Sequence, residues 1–117
     1  MTPDDLFQRM KRYALRIIQL VATFPRGPTG ETVGRPLVKS GTSVPANYRS
    51  ACISPSRAAF IHKLGIVAEE ADESLFWIDF AADAGLTRRT LVADLIEEGQ
   101  EILRIVISSR KTANSRK

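Results

Sequence analysis

Basic side chains recur at helical spacing in two stretches of the sequence, and these residues are the ones best suited to bind a ligand. The first stretch carries Arg9, Arg12 and Arg16, and the second carries Arg35, Lys39 and Arg49. At about 100° per residue, the members of each stretch lie on one side of a helix. Because guanidinium groups bind phosphate through paired hydrogen bonds, the two stripes predict a nucleic-acid-binding surface. A solvated basic face without a ligand is the alternative that the spacing leaves open.

Catalytic and metal-binding patterns are absent from the sequence. His62 is the single histidine, and Ala59 stands where a Glu-x-x-His di-iron motif would place its Glu. No serine lies in a nucleophile-elbow pattern, and no glycine-rich phosphate loop is present. The acidic run over 69–73 has side chains that point in different directions on a helix, so they do not share one cation site. We therefore predict no catalytic residue, no metal site, no cofactor and no enzymatic activity.

The predicted helix over residues 55–84 has two apolar sides. A stripe from Phe60 to Ala82 has the spacing of a buried helix face. A second set of large apolar side chains points well away from that stripe: Ile66, Phe76, Trp77 and Phe80. A lone bundle would leave these groups in water, so we predict that they form the interface of a homo-oligomer.

Four segments have the apolar period and the end signals of helices. The predicted helices cover residues 3–24, 32–52, 55–84 and 87–109. Ser54 and Thr87 are predicted caps, and Gly85 supplies the left-handed residue after the third helix. Long helices with short connections predict an all-α fold, an antiparallel up-down-up-down four-helix bundle over 1–107. The basic segment 108–117 lacks apolar anchors and is predicted to be a disordered tail.

Apolar positions within three of these helices predict most of the core. They are Leu6, Met10, Tyr13, Ile17, Leu20 and Phe24 in the first helix, Leu37, Gly41, Val44, Tyr48 and Ala51 in the second, and Leu91, Leu95, Ile102, Ile105 and Val106 in the fourth. Each set recurs at three- and four-residue intervals and so falls on one helix face.

The sequence SGTSVPANYRSA over 40–51 departs most from ordinary helix sequence. Pro45 has no N–H to bond the Gly41 carbonyl, and its ring crowds that carbonyl. The small residues around Pro45 allow a neighbouring helix to approach closely. We predict that Asn47 caps or bridges a backbone group that Pro45 frees, and recognition of a ligand by Asn47 is the alternative. Gly41, Pro45 and Asn47 are therefore predicted to form a structural motif.

The composition is that of an ordinary soluble domain. The chain has 117 residues, of which 44% are hydrophobic and 26% charged, and no apolar run is long enough for a membrane span. Seventeen basic and thirteen acidic residues give a net charge of +4, which permits binding to a polyanion. The charged N-terminus does not resemble a signal peptide, and Cys52 is the single cysteine, so we expect a cytoplasmic protein.

Two stretches of the chain resemble a known protein family. They are PLVKSGTSVPANYRSA at 36–51 and SRAAFIHKLGIVAEEADESLFWIDF at 56–80. Both are similar to signatures of the small bacterial four-helix-bundle proteins encoded by intervening sequences in 23S ribosomal RNA genes. The resemblance covers nearly the whole chain. It departs at Pro36, where related sequences more usually carry Gln.

This resemblance implies an up-down bundle that assembles as a ring-shaped homopentamer. A related protein is the accessory factor of a retroelement reverse transcriptase and binds nucleic acid and the enzyme through a basic ring surface. We therefore expect a non-enzymatic homo-oligomeric bundle that binds RNA, or DNA, through the basic stripes, with no membrane association. The alternative is a protein-interaction scaffold that docks a partner such as a reverse transcriptase without recognising nucleic acid.

Overall fold

Four helices account for most of residues 1–116, the part of the chain described by a computed structural model. They are α1 (Pro3–Ala22), α2 (Pro28–Cys52), α3 (Arg57–Asp83) and α4 (Arg89–Ser115). Each helix packs against the next in sequence, and α1 meets α4 over a shorter stretch, which confirms the predicted four-helix bundle. The bundle measures 49 × 22 × 20 Å. No helix within residues 1–116 is both long and apolar enough to cross a membrane.

The connection between α1 and α2 is shorter than predicted. α1 ends at Ala22, two residues early, because Phe24 precedes a proline and such a residue disfavours helical dihedrals. α2 begins at Pro28 rather than at residue 32. Gly27 turns the chain with a φ of 132°, and the ring of Pro28 fixes the dihedral that a first helical residue needs. Pro36, predicted near the first turn, consequently lies well inside α2.

The cap of α3 is Ser56 and not the predicted Ser54. The Ser56 hydroxyl accepts a hydrogen bond from the Ala59 N–H at 3.1 Å, so the helix begins at Arg57. The Ser54 hydroxyl instead donates to the Ser50 carbonyl at 3.1 Å. Ser54 therefore closes the end of α2, and the predicted start of α3 was two residues early.

Gly85 has the left-handed conformation predicted after α3, with a φ of 77°. The next N–H, that of Leu86, donates to the Ala81 carbonyl at 2.9 Å, which satisfies one of the last helical acceptors. The prediction for the start of α4 was wrong. Arg88 occupies the N-cap position without a side-chain bond, so the hydroxyl of Thr87 is not the cap.

α4 continues past its predicted end as far as Ser115. Residues 108–115 of the predicted disordered tail are therefore helical, and Lys117 lies outside the described residues. One reason is a contact with α3 that the sequence pattern does not reveal. The Arg110 Nε donates to the Ile61 carbonyl at 3.2 Å, and this bond holds the last turns of α4 against the start of α3.

The predicted apolar stripes of α1 and α2 form the core, together with those of α3 and α4. The largest fully buried side chains include Met10, Tyr13, Ile17, Leu37, Leu64, Ile78 and Ile102. Leu91 was assigned to the core wrongly, since it is 72% exposed, and Val92 is buried instead. Leu91 lies two turns before Glu98, on the side of α4 that faces α1. The contact between these helices is short and leaves Leu91 uncovered.

Tyr13 is the largest side chain at the centre of the bundle. Its hydroxyl bonds the Ser74 Oγ at 2.7 Å, and Ser74 in turn donates to the Ala71 carbonyl at 2.7 Å. Burial raises the pKa of Tyr13 to about 12. Gly99 of α4 makes room for this ring, because a Cβ there would lie 2.6 Å from the Tyr13 hydroxyl oxygen. Tyr13 therefore joins α1, α3 and α4.

The motif over 40–51 packs as predicted at Gly41 but not at Asn47. A Cβ on Gly41 would lie 2.6 Å from the Ile17 Cδ1, so the glycine allows close contact between α1 and α2. The Asn47 Nδ2 donates to the Ser43 carbonyl at 2.9 Å and not to the Gly41 carbonyl that Pro45 frees. A side chain can bond the carbonyl four residues back, and Gly41 is six residues back on another side of the helix.

Candidate functional site

Arg9, from the first predicted stripe, is held in an ion pair with α4. Its Nε and one NH2 group donate to the Glu98 carboxylate at 3.1 and 2.6 Å, and Glu101 lies 3.5 Å away. The side chains of Arg9 and Glu98 are 23% and 26% exposed. The hydrogen bond to Glu98 raises the pKa of Arg9. Arg9 was predicted to contact nucleic acid, but this side chain is occupied within the bundle.

The same side of α1 borders an acidic groove, which we call the α1–α4 groove. Its volume is about 420 Å³, and it is lined by Arg9, Arg16, Asp94, Glu97, Glu98 and Glu101. Four carboxylates against two guanidinium groups make the groove net negative, which disfavours phosphate. Arg12 is exposed and lies on this side of α1 by helical phase. The first stripe therefore lies beside carboxylates that the sequence did not place there.

The cations of the second stripe, Arg35, Lys39 and Arg49, are exposed on α2. Within residues 1–116 none of the three forms an ion pair. Arg35 and Lys39 line one cleft beside α1, and Arg49 lines a smaller pocket with Asp4 at the opposite end of the helix. Arg35 and Arg49 are about 21 Å apart along α2, at about 1.5 Å per residue. The three cations therefore form an elongated row.

Two further cations border this row. Arg26 lines the same cleft as Arg35 and Lys39. Phe7 shares the small pocket with Arg49, and Lys11 follows Phe7 by four residues and so lies on the same side of α1. Sequence reasoning missed both cations because neither belongs to a stripe. The set Lys11, Arg26, Arg35, Lys39 and Arg49 is called the α1–α2 basic face below.

Three of the four residues predicted to form an oligomer interface lie together on α3. The ring centroid of Phe76 lies 5.0 Å from that of Trp77 and 5.9 Å from that of Phe80, and the centroids of Trp77 and Phe80 are 5.7 Å apart. Phe76 is 55% exposed and Phe80 is 44% exposed, and we call these three residues the aromatic cluster. Ile66 is half-buried and lies about 15 Å away along α3, so the structure does not bring it into the cluster.

The indole N–H of Trp77 has no hydrogen-bond partner within residues 1–116, and its nitrogen is buried. A buried N–H without an acceptor costs about 1–3 kcal/mol. Trp77 is therefore held by packing against the core and by its ring contacts with Phe76 and Phe80, and not by a hydrogen bond within this part of the chain.

Side chains suited to nucleophilic or metal chemistry are dispersed over residues 1–116. Cys52 and His62 are both exposed. No group of three His, Cys, Asp or Glu residues in this part of the chain is arranged to hold a metal ion. The α1–α2 basic face and the aromatic cluster are therefore the candidate binding features among the described residues.

Comparison with known proteins gives a family match over most of the chain. Residues 4–108 match the family described as 23S rRNA-intervening sequence protein. A crystal structure from Bacteroides thetaiotaomicron, described as a protein with unknown function from the S23 ribosomal protein family, is 28% identical to this chain with a TM-score of 0.83. That alignment covers 95% of this chain and 99% of the other. Among functionally curated proteins, none matched.

Proposed function

The chain belongs to the 23S rRNA-intervening sequence protein family, and on that premise we propose that it binds RNA, without catalysis, through the α1–α2 basic face. The observation that supports this proposal is the absence of ion pairs at Arg35, Lys39 and Arg49 within residues 1–116. Cations without a carboxylate partner are free to neutralise phosphates, and release of the counterions from the nucleic acid favours binding.

The balance of charges also supports RNA binding at the α1–α2 basic face. This face carries five basic residues, whereas the acidic residues lining its two pockets are Asp4 and Glu31. Arginine contributes paired hydrogen bonds to phosphate, and lysine contributes a point charge. An elongated row suits a nucleic-acid backbone, which presents successive phosphates along its length. The proposed contacts are therefore Arg35, Lys39 and Arg49, with Lys11 and Arg26 beside them, in place of Arg9.

The test is the salt dependence of binding to a labelled RNA hairpin, measured by fluorescence anisotropy. Each phosphate contact contributes about 0.7–0.9 to the slope of log affinity against log salt. A variant with Arg35→Gln, Lys39→Gln and Arg49→Gln should weaken binding and make that slope shallower by about two to three. A matched variant with Arg57→Gln, Arg88→Gln and Arg104→Gln has the same net charge and should keep most of the slope.

Two outcomes would contradict the proposal. One is an equal loss of affinity in both triple variants, which would mean that net charge and not the α1–α2 basic face determines binding. The other is no binding by the wild-type protein at low salt, where electrostatic attraction is strongest.

A second observation, the exposed aromatic cluster, favours self-association. We propose that Phe76 and Phe80 pack against a second copy of the chain, so that the protein is a homo-oligomer, with the pentamer that the sequence resemblance implies as the expected form. Two large exposed rings in contact with a third are unusual on the surface of a monomer. Several subunits would also multiply weak contacts with one RNA.

Light scattering after size-exclusion chromatography tests this assembly, because the monomer has a mass of 12.9 kDa. Phe80→Glu should reduce the mass toward that of the monomer, since it places a charge in the proposed interface. Leu91→Glu is the matched control, because Leu91 is an exposed apolar residue on another helix. A wild-type monomer at micromolar concentration would refute the assembly, as would equal dissociation by both variants.

A further inference from the structure

A cleft of about 720 Å³ lies between the end of α1 and the first half of α2. This volume is within the range of about 300–1,000 Å³ that is usual for small-molecule sites. Its apolar walls are provided by Val21, Phe24, Pro25 and Val38. The cleft is largely open to solvent, so these walls offer an apolar surface for one side of an elongated apolar group.

Two glycines of α2, Gly30 and Gly34, are among the residues that line this cleft. A Cβ on Gly34 would lie 2.9 Å from the Val21 Cγ1, and a Cβ on Gly30 would collide with the Pro25 carbonyl oxygen. α1 and its following loop can approach α2 because both positions lack a side chain. The two glycines therefore bring the apolar side chains of α1 and its loop close to the α2 backbone at the cleft.

The charged residues at the cleft are predominantly basic. Arg26, Arg35 and Lys39 line it together with a single acid, Glu31. Arg35 and Lys39 are one helical turn apart and lie on the same side of α2. A ligand with an anionic head beside an apolar body would match both the charges and the walls.

From this combination we infer that the cleft binds a small amphipathic carboxylate, such as a medium-chain fatty acid. Its aliphatic chain lies against Val21, Phe24 and Val38, and its carboxylate faces Arg35 and Lys39. Inorganic phosphate would leave the apolar walls in water, and a cationic amphiphile would be repelled by the net positive charge. The inference rests on the cleft alone and does not depend on RNA binding.

Decanoate, used below its micelle concentration, is the probe. Titration of the ¹⁵N-labelled protein should produce saturable shifts of the Gly30 and Gly34 amide resonances. Lengthening the probe from octanoate to decanoate should tighten binding by up to about fourfold for each added methylene that becomes buried. Absence of saturable shifts at these two glycines would overturn the inference, as would an affinity that does not change with chain length.

Three other probes test the selectivity of the cleft. Decyltrimethylammonium has the same alkyl length with the opposite charge, inorganic phosphate has charge without a chain, and adenosine monophosphate has an aromatic base. Each should bind at least tenfold more weakly than decanoate. Equal binding of the cationic amphiphile or of phosphate would contradict the inference, and tighter binding of the nucleotide would assign the cleft to another ligand class.

Variants locate the site independently. Arg35→Gln and Lys39→Gln should each weaken decanoate binding by about two- to fivefold, the range for one partly exposed ion pair. Val38→Asp should weaken it further, because it adds a carboxylate and removes an apolar wall. Arg57→Gln removes the same charge at the opposite end of the bundle and should change the affinity by less than about twofold. Equal effects of Arg35→Gln and Arg57→Gln would overturn the assignment.

Discussion

The α1–α4 groove and the α1–α2 basic face both carry cations that recur on one side of a helix, but their surroundings are opposite. In the groove, Arg9 donates two hydrogen bonds to Glu98 and faces further carboxylates. On the α1–α2 basic face, Arg35 and Lys39 have no ion-pair partner within residues 1–116.

Arg12 and Arg16 of the first stripe also form no ion pair within residues 1–116, but Arg16 lines the acidic groove and Arg12 lies on the same side of α1. Acids on the neighbouring helix therefore make the first stripe less suited to phosphate than the second. The partner helix, and not the stripe itself, decides between a structural and a binding use.

The largest expected effect is a loss of stability at high pH that comes from Tyr13, beneath the α1–α4 groove. The unfolded chain ionises a tyrosine near pH 10, whereas burial raises the pKa of Tyr13 to about 12. Below pH 10 both states bind the proton, and between pH 10 and 12 the folded state alone retains it. Tyr13 should therefore contribute a fall of about 1.4 kcal/mol per pH unit to the free energy of unfolding in this window, and Tyr48, whose pKa burial also raises to about 12, should add to it.

Urea denaturation between pH 9 and 11.5 measures this loss, and Tyr13→Phe provides the control. The variant should be less stable by about 1 kcal/mol at pH 9, because it lacks the hydrogen bond to Ser74. Its stability should then decline less steeply with pH than that of the wild type. Parallel pH profiles for the two proteins would show that Tyr13 ionises in the folded state as readily as in the unfolded one.

The next prediction compares the packing of α1 against α4, at Gly99, with its packing against α2, at Gly41. Gly99→Ala would bring a Cβ to 2.6 Å from the Tyr13 hydroxyl oxygen and 2.7 Å from the Leu75 Cδ2. Tyr13 is held by its hydrogen bond, so we expect a net loss of about 1–2 kcal/mol after the gain in helix propensity. Gly41→Ala meets the Ile17 Cδ1 at 2.6 Å, but this methyl group has no hydrogen bond to hold it and can move by rotation about χ2. We therefore expect a smaller loss of stability than for Gly99→Ala. Urea denaturation measures both, and a larger loss for Gly41→Ala would reverse the comparison.

A double-mutant cycle of Arg9→Gln and Glu98→Gln measures the ion pair in the α1–α4 groove. We expect a coupling energy of about 0.5–1.5 kcal/mol, because the contact is bidentate and both side chains are mostly buried. High salt should weaken it only in part. Arg12→Gln, on the same side of α1, should change stability by less than about 0.5 kcal/mol. A coupling energy near zero would show that Arg9 is free to bind a ligand.

The smallest expected effect is a gain in stability, and it concerns the α1–α2 basic face. Arg35 and Lys39 are like charges four residues apart, an arrangement that destabilises a helix by about 0.2–0.5 kcal/mol. Lys39→Gln should therefore raise the free energy of unfolding by that amount while it weakens RNA binding. Thermal unfolding at low salt gives the best sensitivity. A loss of stability would reveal a structural role for Lys39 and weaken the distinction between the two regions.

The fold could be predicted from the sequence because its determinants are local. The apolar period of α1 fixed which side of that helix is buried, and Gly85 marked the end of α3. Helix starts were less certain, since Ser54 and Ser56 are both suitable caps and the choice depends on which hydroxyl meets a free N–H. The helical end of α4 was missed because Arg110 bonds the Ile61 carbonyl, a contact between residues distant in sequence.

The candidate site was less predictable for the same physical reason. The positions of Arg35 and Lys39 on one side of α2 follow from helical spacing. Whether a cation is occupied depends on residues far away in the chain, as Glu98 shows for Arg9. Lys11 and Arg26 could be placed on the α1–α2 basic face only once the packing of α1 against α2 was known.

The Arg9–Glu98 contact also has a consequence for the order of folding. The two residues are 89 positions apart in sequence, whereas most of the other helix contacts join helices that are consecutive in sequence. Closing that long loop has the highest entropic cost in the bundle, so the α1–α4 contact should form after the rate-limiting step. Arg9→Gln should then speed unfolding and leave the folding rate nearly unchanged. The Arg9–Glu98 ion pair would thus slow unfolding of the native bundle without speeding its formation.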